Sequence, residues 1–360
     1  MNAPVLLMPA AGTVVRFDHW LDAAFDRIIT ATPGLTLHTC AREGADAAAW
    51  DRLSGAHVYQ ISAAKDEIPR RWFADAALLA RCPNLLAVSS SGSGCDTIDI
   101  DACTEAGVAV LNQAGGNADS VAEMTLGLML AVLRRIAESD RSLRAHNCES
   151  REDLMGHELR GRTLGLVGVG HAGRRVAALG RALGMRVIGC DPALDAAELS
   201  ARGAQAVSFE ELLRSADIVS LHCPRDATTL RMMDGAAFAA MRPGSIFVST
   251  ARGGIHDEGA LHAALASGHL AGAGLDVWDQ EPPPRAHPLL ALDNVVATFH
   301  TAGVTHEARR RNAELAATQI VTLLTSGERP ERLVNPEVWP RARLRIAAVM
   351  QAAALSSVTP

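Results

Sequence analysis

Three glycines in the middle of the chain, Gly168, Gly170 and Gly173, form a pattern that few folds accommodate. They follow an apolar segment at 164–169, open a helical pattern, and precede a second apolar segment that ends at Asp191. Glycines at this spacing between a strand and a helix allow a tight turn, close approach of a pyrophosphate and close helix–strand packing. Unpaired N–H groups at the helix start then hold the phosphates. The pattern predicts a dinucleotide-binding unit.

Asp191 indicates which dinucleotide is bound. It lies 18 residues beyond Gly173, at the end of the second predicted strand. A carboxylate in this position accepts hydrogen bonds from the ribose hydroxyls and repels a 2′-phosphate, so we expect NAD rather than NADP. The alternative is a structural glycine turn with an incidental loop acid. The order of strand, glycines, helix, strand and acid favours the cofactor site, with His171 and Ala172 in its first helical turn.

Apolar strands alternate with helical patterns along most of the chain. A first series has predicted strands at 4–8, 35–39, 57–61 and 85–89, and a second series begins at Thr163. Such alternation predicts α/β domains with parallel sheets covered on both faces. A long helical pattern at 117–145 lies between the two series and is expected to connect them. Ser120 and Glu123 have capping-box spacing, which places the predicted start near Asp119 or Ser120.

Composition excludes several classes of protein. Of the 360 residues, 48% are hydrophobic and 21% are charged, which is ordinary globular usage, and the net charge of −6 argues against nucleic-acid binding. The seven cysteines form no CxxC pair, which predicts free thiols and no zinc site. The longest apolar stretch, 124–133, is too short to cross a bilayer. We expect a cytoplasmic protein without a metal or a membrane partner.

Charged residues follow three successive predicted strands of the second series. Arg252 follows the first, Asp276 and Glu281 follow the next, and His300 follows the third. Open α/β sheets bind ligands at these strand ends. Arginine suits a fixed grip on a carboxylate, and histidine suits proton exchange near neutral pH, helped by a neighbouring carboxylate. Taken together behind a dinucleotide fingerprint, these side chains predict an active site.

Five ordered segments carry a resemblance to a known family. They are the stretch at 89–130, the glycine fingerprint at 168–173, LHCPRDATT with VSTARGG, GLDVWDQEP, and NVVATFHTAGVTHEA. In this order, and with 29 residues from Arg252 to Glu281 and 19 from Glu281 to His300, the chain resembles the D-isomer-specific 2-hydroxyacid dehydrogenases.

The resemblance implies a role for each site residue. Arg252 would bind the substrate carboxylate and carbonyl oxygen, and His300, paired with Glu281, would be the acid–base group. Asp276 would hold the nicotinamide carboxamide. The other positions expected to line the cofactor cleft are His222, Pro224, Thr229, Thr250 and Ala251, and those expected to bind substrate through backbone N–H groups are Ser91, Gly92, Ser93 and Gly94.

The resemblance also implies the domain organisation. Residues 1–114, completed by 306–330, would form a discontinuous flavodoxin-like substrate domain. Residues 115–305 would form an inserted Rossmann NAD-binding domain with a connector helix at 118–145, and 331–360 would be a C-terminal tail. Most members of the family are homodimers, so a homodimer is expected.

The function that the resemblance implies is NAD-dependent interconversion of a 2-keto acid and a D-2-hydroxy acid, with glyoxylate and hydroxypyruvate as the first substrates to try. Two alternatives stay open: an NAD-sensing binding protein of the C-terminal binding protein type, and a phosphite dehydrogenase. Formate dehydrogenases carry Gln in place of Glu281 and are disfavoured. Two departures concern the site, since Ser249 stands where the family commonly has Asn, and Trp278 where Phe or Tyr is usual.

Overall fold

The computed structural model describes residues 12–43, 46–145 and 150–356, with side chains to residue 349. The chain divides into two compact units, Met1–Asn117 with His306–Pro360, and Ala118–Thr305. The second unit is therefore inserted into the first. The strand predicted at 4–8 lies outside the described residues, as does Cys148.

The first unit contains a five-stranded parallel sheet. Its strands are β1 (Gly12–Phe17), β2 (Leu35–Cys40), β3 (Val58–Ile61), β4 (Ala87–Ser90) and β5 (Ala109–Leu111), in the order β2-β1-β3-β4-β5. This is the flavodoxin-like order expected from the resemblance. Helices α1 (Ala23–Ala31), α2 (Asp46–Ser54), α3 (Ala76–Arg81) and α4 (Ile100–Ala106) connect the strands. Strand β1 was not predicted, because Gly12 and the charged Arg16 interrupt its short apolar run.

The second unit contains a seven-stranded parallel sheet. Its strands are β6 (Thr163–Val167), β7 (Arg186–Cys190), β8 (Gln205–Ala206), β9 (Ile218–Leu221), β10 (Ile246–Ser249), β11 (Gly272–Leu275) and β12 (Val295–Ala297). The order is β12-β11-β10-β9-β6-β7-β8. The strand order reverses between β6 and β9, which is where a Rossmann sheet binds its dinucleotide. The predicted fold class, two doubly wound parallel-sheet domains, is confirmed.

The predicted connector helix is wrong as a single element. The structure has α5 (Ala118–Leu133) and α6 (Ile136–Arg144), separated at Arg135, whose φ of 52° is left-handed. No Gly or Pro lies at this break, so the residue pattern predicts one continuous helix across it. Ser120 lies inside α5 and its hydroxyl pairs with that of Thr305 at 2.8 Å. The capping box expected there is therefore also wrong.

The remaining helices of the second unit cover both faces of its sheet. They are α7 (His171–Ala182), α8 (Ala196–Ala201), α9 (Phe209–Ser215), α10 (Gly235–Ala240) and α11 (Glu258–Ala266). Apolar cores fill the space on each face. The central strands β6, β9, β10 and β11 are buried along their whole length, which explains why they read as continuous apolar runs, whereas the edge strands β8 and β12 are partly exposed.

Two further helices complete the first unit, α12 (His306–Ser326) and α13 (Trp339–Ser356). The expectation of a tail at 331–360 is wrong, because Val338, Ala342 and Ile346 are buried in the same core as α12. Val338, Ala342 and Ile346 recur every fourth residue, which is the spacing of one helix face. The side chain of Asn335 also accepts a hydrogen bond from the N–H of Val110 at 2.8 Å, which ties this segment to β5.

Candidate active site

The three glycines form the turn between β6 and α7 as the sequence predicts. Gly168 has a φ of 89°, and a Cβ there would lie 2.8 Å from the backbone N of Cys223, which follows β9. A Cβ on Gly173 would lie 2.2 Å from the oxygen of Gly168. A Cβ on Gly170 would meet nothing within 4 Å. The turn is thus closely packed inside and open at Gly170, where α7 begins, so its geometry fits a pyrophosphate.

Asp191 is fixed beside this turn. One carboxylate oxygen accepts a hydrogen bond from the N–H of Val169 at 2.8 Å, and the other accepts from Ala193 at 3.0 Å. A carboxylate has about four acceptor sites, so it retains capacity for a diol. His171 is exposed in the first turn of α7, followed by Ala172. The arrangement fits the adenosine half of NAD.

The segment after β9 forms the facing side of the turn. His222 Nε2 lies 3.0 Å from the Ser220 hydroxyl, and its Nδ1 has no hydrogen-bond partner within the described residues. Burial lowers the pKa of His222 to about 4, so its ring is neutral at pH 7. Further along, the Thr229 hydroxyl donates to the oxygen of Pro224 at 2.7 Å. His222 therefore presents a neutral ring beside the glycine turn, and the Thr229 hydroxyl fixes the turn that follows it.

Thr250 and Ala251 lie directly after β10 and are buried. The Thr250 hydroxyl lies 3.0 Å from that of Thr125, whose own proton is directed to the oxygen of Val121 at 2.7 Å. The Thr250 hydroxyl is therefore the donor of this pair. Thr125 was not predicted, because nothing in the sequence marks a threonine inside an apolar helix as a neighbour of the strand end.

The structure brings His300 and Glu281 together. His300 Nδ1 lies 2.8 Å from Glu281 Oε2, and both side chains are about one-third exposed. Burial raises the pKa of Glu281, but the hydrogen bond and positive charge of His300, with the Trp278 N–H and the charge of Arg252, outweigh it and hold this pKa below its usual value. Glu281 is therefore an anion at pH 7, and Nδ1 is the donor to it.

Arg252 lies on the neighbouring loop, just beyond β10. Its Nη1 donates to the oxygen of Ala251 at 2.7 Å, and its charge contributes to lowering the pKa of Glu281. The next residue, Gly253, lies so close to the loop of Glu281 that a Cβ there would be 1.8 Å from the oxygen of Trp278. The loops that carry Arg252 and Glu281 are therefore locked together by backbone contact.

Asp276 is fully buried and holds the loop that carries His300. One carboxylate oxygen accepts from the Thr298 hydroxyl at 2.6 Å and from the N–H of Thr301 at 2.8 Å, and the other accepts from Ala302 at 2.8 Å. The N–H of His300 donates to the backbone oxygen of Asp276 at 2.7 Å. These bonds support the left-handed φ of 52° at His300. The expected contact of Asp276 with a carboxamide stays a prediction.

The two departures from the family pattern both lie in this site. The Ser249 hydroxyl is buried without a hydrogen-bond partner among the described residues. Trp278 is buried, and its indole N–H donates to the oxygen of Thr298 at 3.0 Å. Trp278 thus joins the loop of Glu281 to that of His300. Neither Trp278 nor Thr298 was predicted to act in the site, since their partners lie on other loops.

The predicted substrate-binding stretch lies in the first unit, directly after β4. The Ser91 hydroxyl accepts from the N–H of Ala63 at 3.1 Å, and the Ser93 hydroxyl lies 3.0 Å from the side-chain oxygen of Asn117. The oxygen of Gly92 accepts from Gln113 at 2.9 Å, and that of Gly94 from the Ser90 hydroxyl at 2.5 Å. The turn is well braced, and its binding of substrate stays a prediction.

Other predicted features concern metals, membranes and cysteines. Within the described residues, no group of three or more His, Cys, Asp or Glu side chains is arranged to hold a metal ion. None of the helices found there is both long and apolar enough to span a membrane. The six cysteines of the described ranges form no disulfide.

Comparison with known proteins decides the family. Residues 126–302 match the model for the NAD-binding domain of D-isomer specific 2-hydroxyacid dehydrogenases. The chain is also 45% identical over 239 residues to the (S)-sulfolactate dehydrogenase of Chromohalobacter salexigens. This match covers 66% of this chain and 77% of that protein. The chain belongs to the D-isomer specific 2-hydroxyacid dehydrogenase family. Residues 126–302, which include the turn at Gly168, belong to the NAD-binding domain of this chain.

Two further relatives show the extent of the similarity. The D-3-phosphoglycerate dehydrogenase of Archaeoglobus fulgidus is 41% identical over 249 residues, covering 69% of this chain and 47% of that protein. The chain spans about half the length of the phosphoglycerate dehydrogenases that it matches. The crystal structure of a glyoxylate reductase from Paecilomyes thermophila has a TM-score of 0.79 at 28% identity, covering 92% of this chain and 99% of that one.

Proposed function

We propose that the protein interconverts a 2-keto acid and a D-2-hydroxy acid by hydride transfer with NAD. The observation that carries the proposal is the 2.8 Å pair of His300 and Glu281 beside Arg252, at the strand ends of an NAD-binding domain. Bound NADH would supply the hydride that adds to the carbonyl carbon of the substrate. The chain's own groups then have to bind the acid and provide a proton.

His300 is the group suited to provide that proton. Hydride addition leaves negative charge on the carbonyl oxygen, and a protonated imidazole neutralises it by transferring a proton. Because Nδ1 is directed to Glu281, Nε2 is the nitrogen that exchanges this proton with the substrate oxygen. The ionised Glu281 stabilises the imidazolium before transfer and fixes the ring orientation. In the reverse direction, the neutral ring accepts the hydroxyl proton.

Arg252 is suited to bind the substrate. A guanidinium presents a planar set of donors that matches a carboxylate in a bidentate manner. Its position beside Glu281 would direct the carbonyl carbon to the cofactor and the carbonyl oxygen to His300. We propose glyoxylate and hydroxypyruvate as first substrates, and the backbone N–H groups at 91–94 as further donors to the acid.

We also propose NAD rather than NADP as the cofactor. Asp191 is held at the end of β7 by two backbone N–H groups, so it has little freedom to move away from a 2′-phosphate. A cytoplasmic location is supported by the absence of disulfides among the six described cysteines. A homodimer rests on the family resemblance alone, and light scattering tests it against the chain mass of 37.9 kDa.

The experiment that tests the proposal is NADH oxidation by the purified chain with a panel of 2-keto acids. We expect turnover with at least one small 2-keto acid, a D-configured product wherever that product is chiral, and loss of turnover in Arg252→Ala. NADH binding is measured in parallel by fluorescence. NADH binding without turnover of any 2-keto acid would contradict the proposal and favour an NAD-sensing binding protein.

A further inference from the structure

A second carboxylate–imidazole pair lies behind the first. Glu258, the first residue of α11, places Oε2 3.0 Å from Nε2 of His287, and their side chains are only 15% and 13% exposed. The Nδ1 of His287 accepts a hydrogen bond from the N–H of Leu289 at 3.3 Å. Nδ1 therefore carries no proton, and Nε2 donates to Glu258. Neither residue belongs to the site described above.

His287 lies at one end of the loop that carries Glu281, and the other carboxylate oxygen of Glu258 binds the opposite end of that loop. Oε1 accepts from the N–H of Asp279 at 2.8 Å. We call residues 278–287 the Glu281 loop, since Glu281 lies between these two attachment points. One carboxylate thus binds the loop at both ends. Between them, Pro282, Pro283 and Pro284 have fixed φ angles, so the orientation of the loop depends largely on its ends.

Hydrogen bonds and a ring contact connect the Glu258–His287 pair to the residues proposed to act in the reaction. The N–H of Trp278 donates to Glu281 Oε1 at 3.1 Å, and the ring of Trp278 packs edge-on against that of His287 with centroids 5.4 Å apart. The carboxylate of Asp279 accepts from the N–H of Gly254 at 2.7 Å, two residues beyond Arg252. Glu258 therefore fixes the position of Glu281 relative to both His300 and Arg252.

We propose that Glu258 and His287 are positioning residues for the reaction, acting through Glu281. The inference rests on the proposed function, since it assigns how Glu281 is held while His300 exchanges its proton. Neither side chain touches the substrate or the cofactor in this account. Small displacements of reacting groups reduce rates strongly, by about a hundredfold for 1 Å. We therefore expect these residues to govern kcat rather than NADH binding.

The test begins with Glu258→Gln, which retains the shape and one acceptor but faces one of the two donors with an N–H group. We expect kcat for 2-keto acid reduction to fall by about tenfold to a hundredfold, with the Kd for NADH within threefold. His287→Leu should give a similar loss, and His287→Gln, whose amide still donates, should recover most of it. Glu210→Gln, an exposed acid paired with Arg214, is the matched control and should behave as wild type.

A double variant separates positioning from general stabilisation. In the Glu281→Gln background, Glu258→Gln should cause little further loss of kcat, because the group through which it acts is already removed. A merely structural role predicts multiplied losses in both backgrounds, together with a lower melting temperature. Should Glu258→Gln fail to fold, His287→Leu and His287→Gln provide the same comparison.

The outcomes are distinguishable from failure of the proposed function. A wild-type chain that turns over no 2-keto acid overturns the proposed function and this inference with it. An active wild type whose Glu258→Gln variant stays within threefold in kcat overturns the inference alone. So does an equal loss in the wild-type and Glu281→Gln backgrounds.

Discussion

Replacing Asp276 by Asn tests whether its buried carboxylate holds His300 in place. The amide keeps one oxygen, which can still accept from Thr298 and Thr301, but it places an N–H group opposite the N–H of Ala302. One hydrogen bond to a charged acceptor is lost, which costs about 1.5–3 kcal/mol, and the two that remain become weaker. The whole cost falls on residues 298–302.

The size of the effect follows from that cost. If the cost acts on the loop, the fraction of molecules with His300 correctly placed falls by at most about a hundredfold, since 1.4 kcal/mol corresponds to a factor of ten. We expect kcat for 2-keto acid reduction to fall by about tenfold to a hundredfold. The free energy of unfolding should decrease by about 2 kcal/mol. The Kd for NADH should change little.

The assay combines steady-state kcat at saturating substrates, NADH titration by fluorescence and urea unfolding. Asp293→Asn is the matched control, because that carboxylate is 86% exposed and pairs with Arg141 on the surface. A kcat within threefold of wild type, with NADH binding weakened more than tenfold, would show that the Asp276 carboxylate does not hold His300 in place. That result would favour the contact between Asp276 and the nicotinamide carboxamide.

Three further substitutions test other parts of the account. Arg252→Ala should raise the activation free energy for keto-acid reduction, as measured by kcat/KM, by roughly 2–5 kcal/mol and leave NADH binding intact. Loss of NADH binding with unchanged keto-acid affinity would contradict this. Wild type should prefer NADH to NADPH at least tenfold in kcat/KM, and Asp191→Ser should narrow the preference; equal efficiencies in wild type would contradict it. Burial lowers the pKa of His19 from 6.5 to about 4 in the folded protein. As the pH drops from 6.5 toward 4, His19 therefore binds a proton in the unfolded chain before it does so in the folded protein, and the free energy of unfolding decreases. At pH 5 this loss of stability is about 2 kcal/mol. His19→Phe should make the urea midpoint depend less on pH, and an unchanged pH dependence would show that His19 does not cause the loss.

The glycine turn and the charged strand ends could be predicted because their chemistry is local. Gly168, Gly170 and Gly173 are needed for backbone geometry within one turn, and residues after parallel strands meet at one edge of the sheet whatever the tertiary details. The pair of Glu281 and His300 follows from that rule. The same rule explains why the fold class could be read from alternating strands and helices.

Other features depend on contacts between distant residues. The break at Arg135 has no Gly or Pro to mark it, and Glu258 and His287 are separated by 29 residues, so neither has a local pattern. Asp276 was assigned to a ligand, although its carboxylate accepts three hydrogen bonds from the loop of His300. Tertiary contacts of this kind are not visible in the spacing of residue types.

The proposed reaction depends above all on His300 supplying the proton for 2-keto acid reduction. The most direct measurement is the rate of a single turnover with NADH and keto acid at saturation, in wild type and in His300→Gln. Glutamine approximates the size and hydrogen bonding of the ring but cannot transfer a proton at neutral pH. We expect the rate in His300→Gln to fall by about 10²–10⁴-fold with the Kd for NADH unchanged. A His300→Gln rate within tenfold of wild type would contradict it.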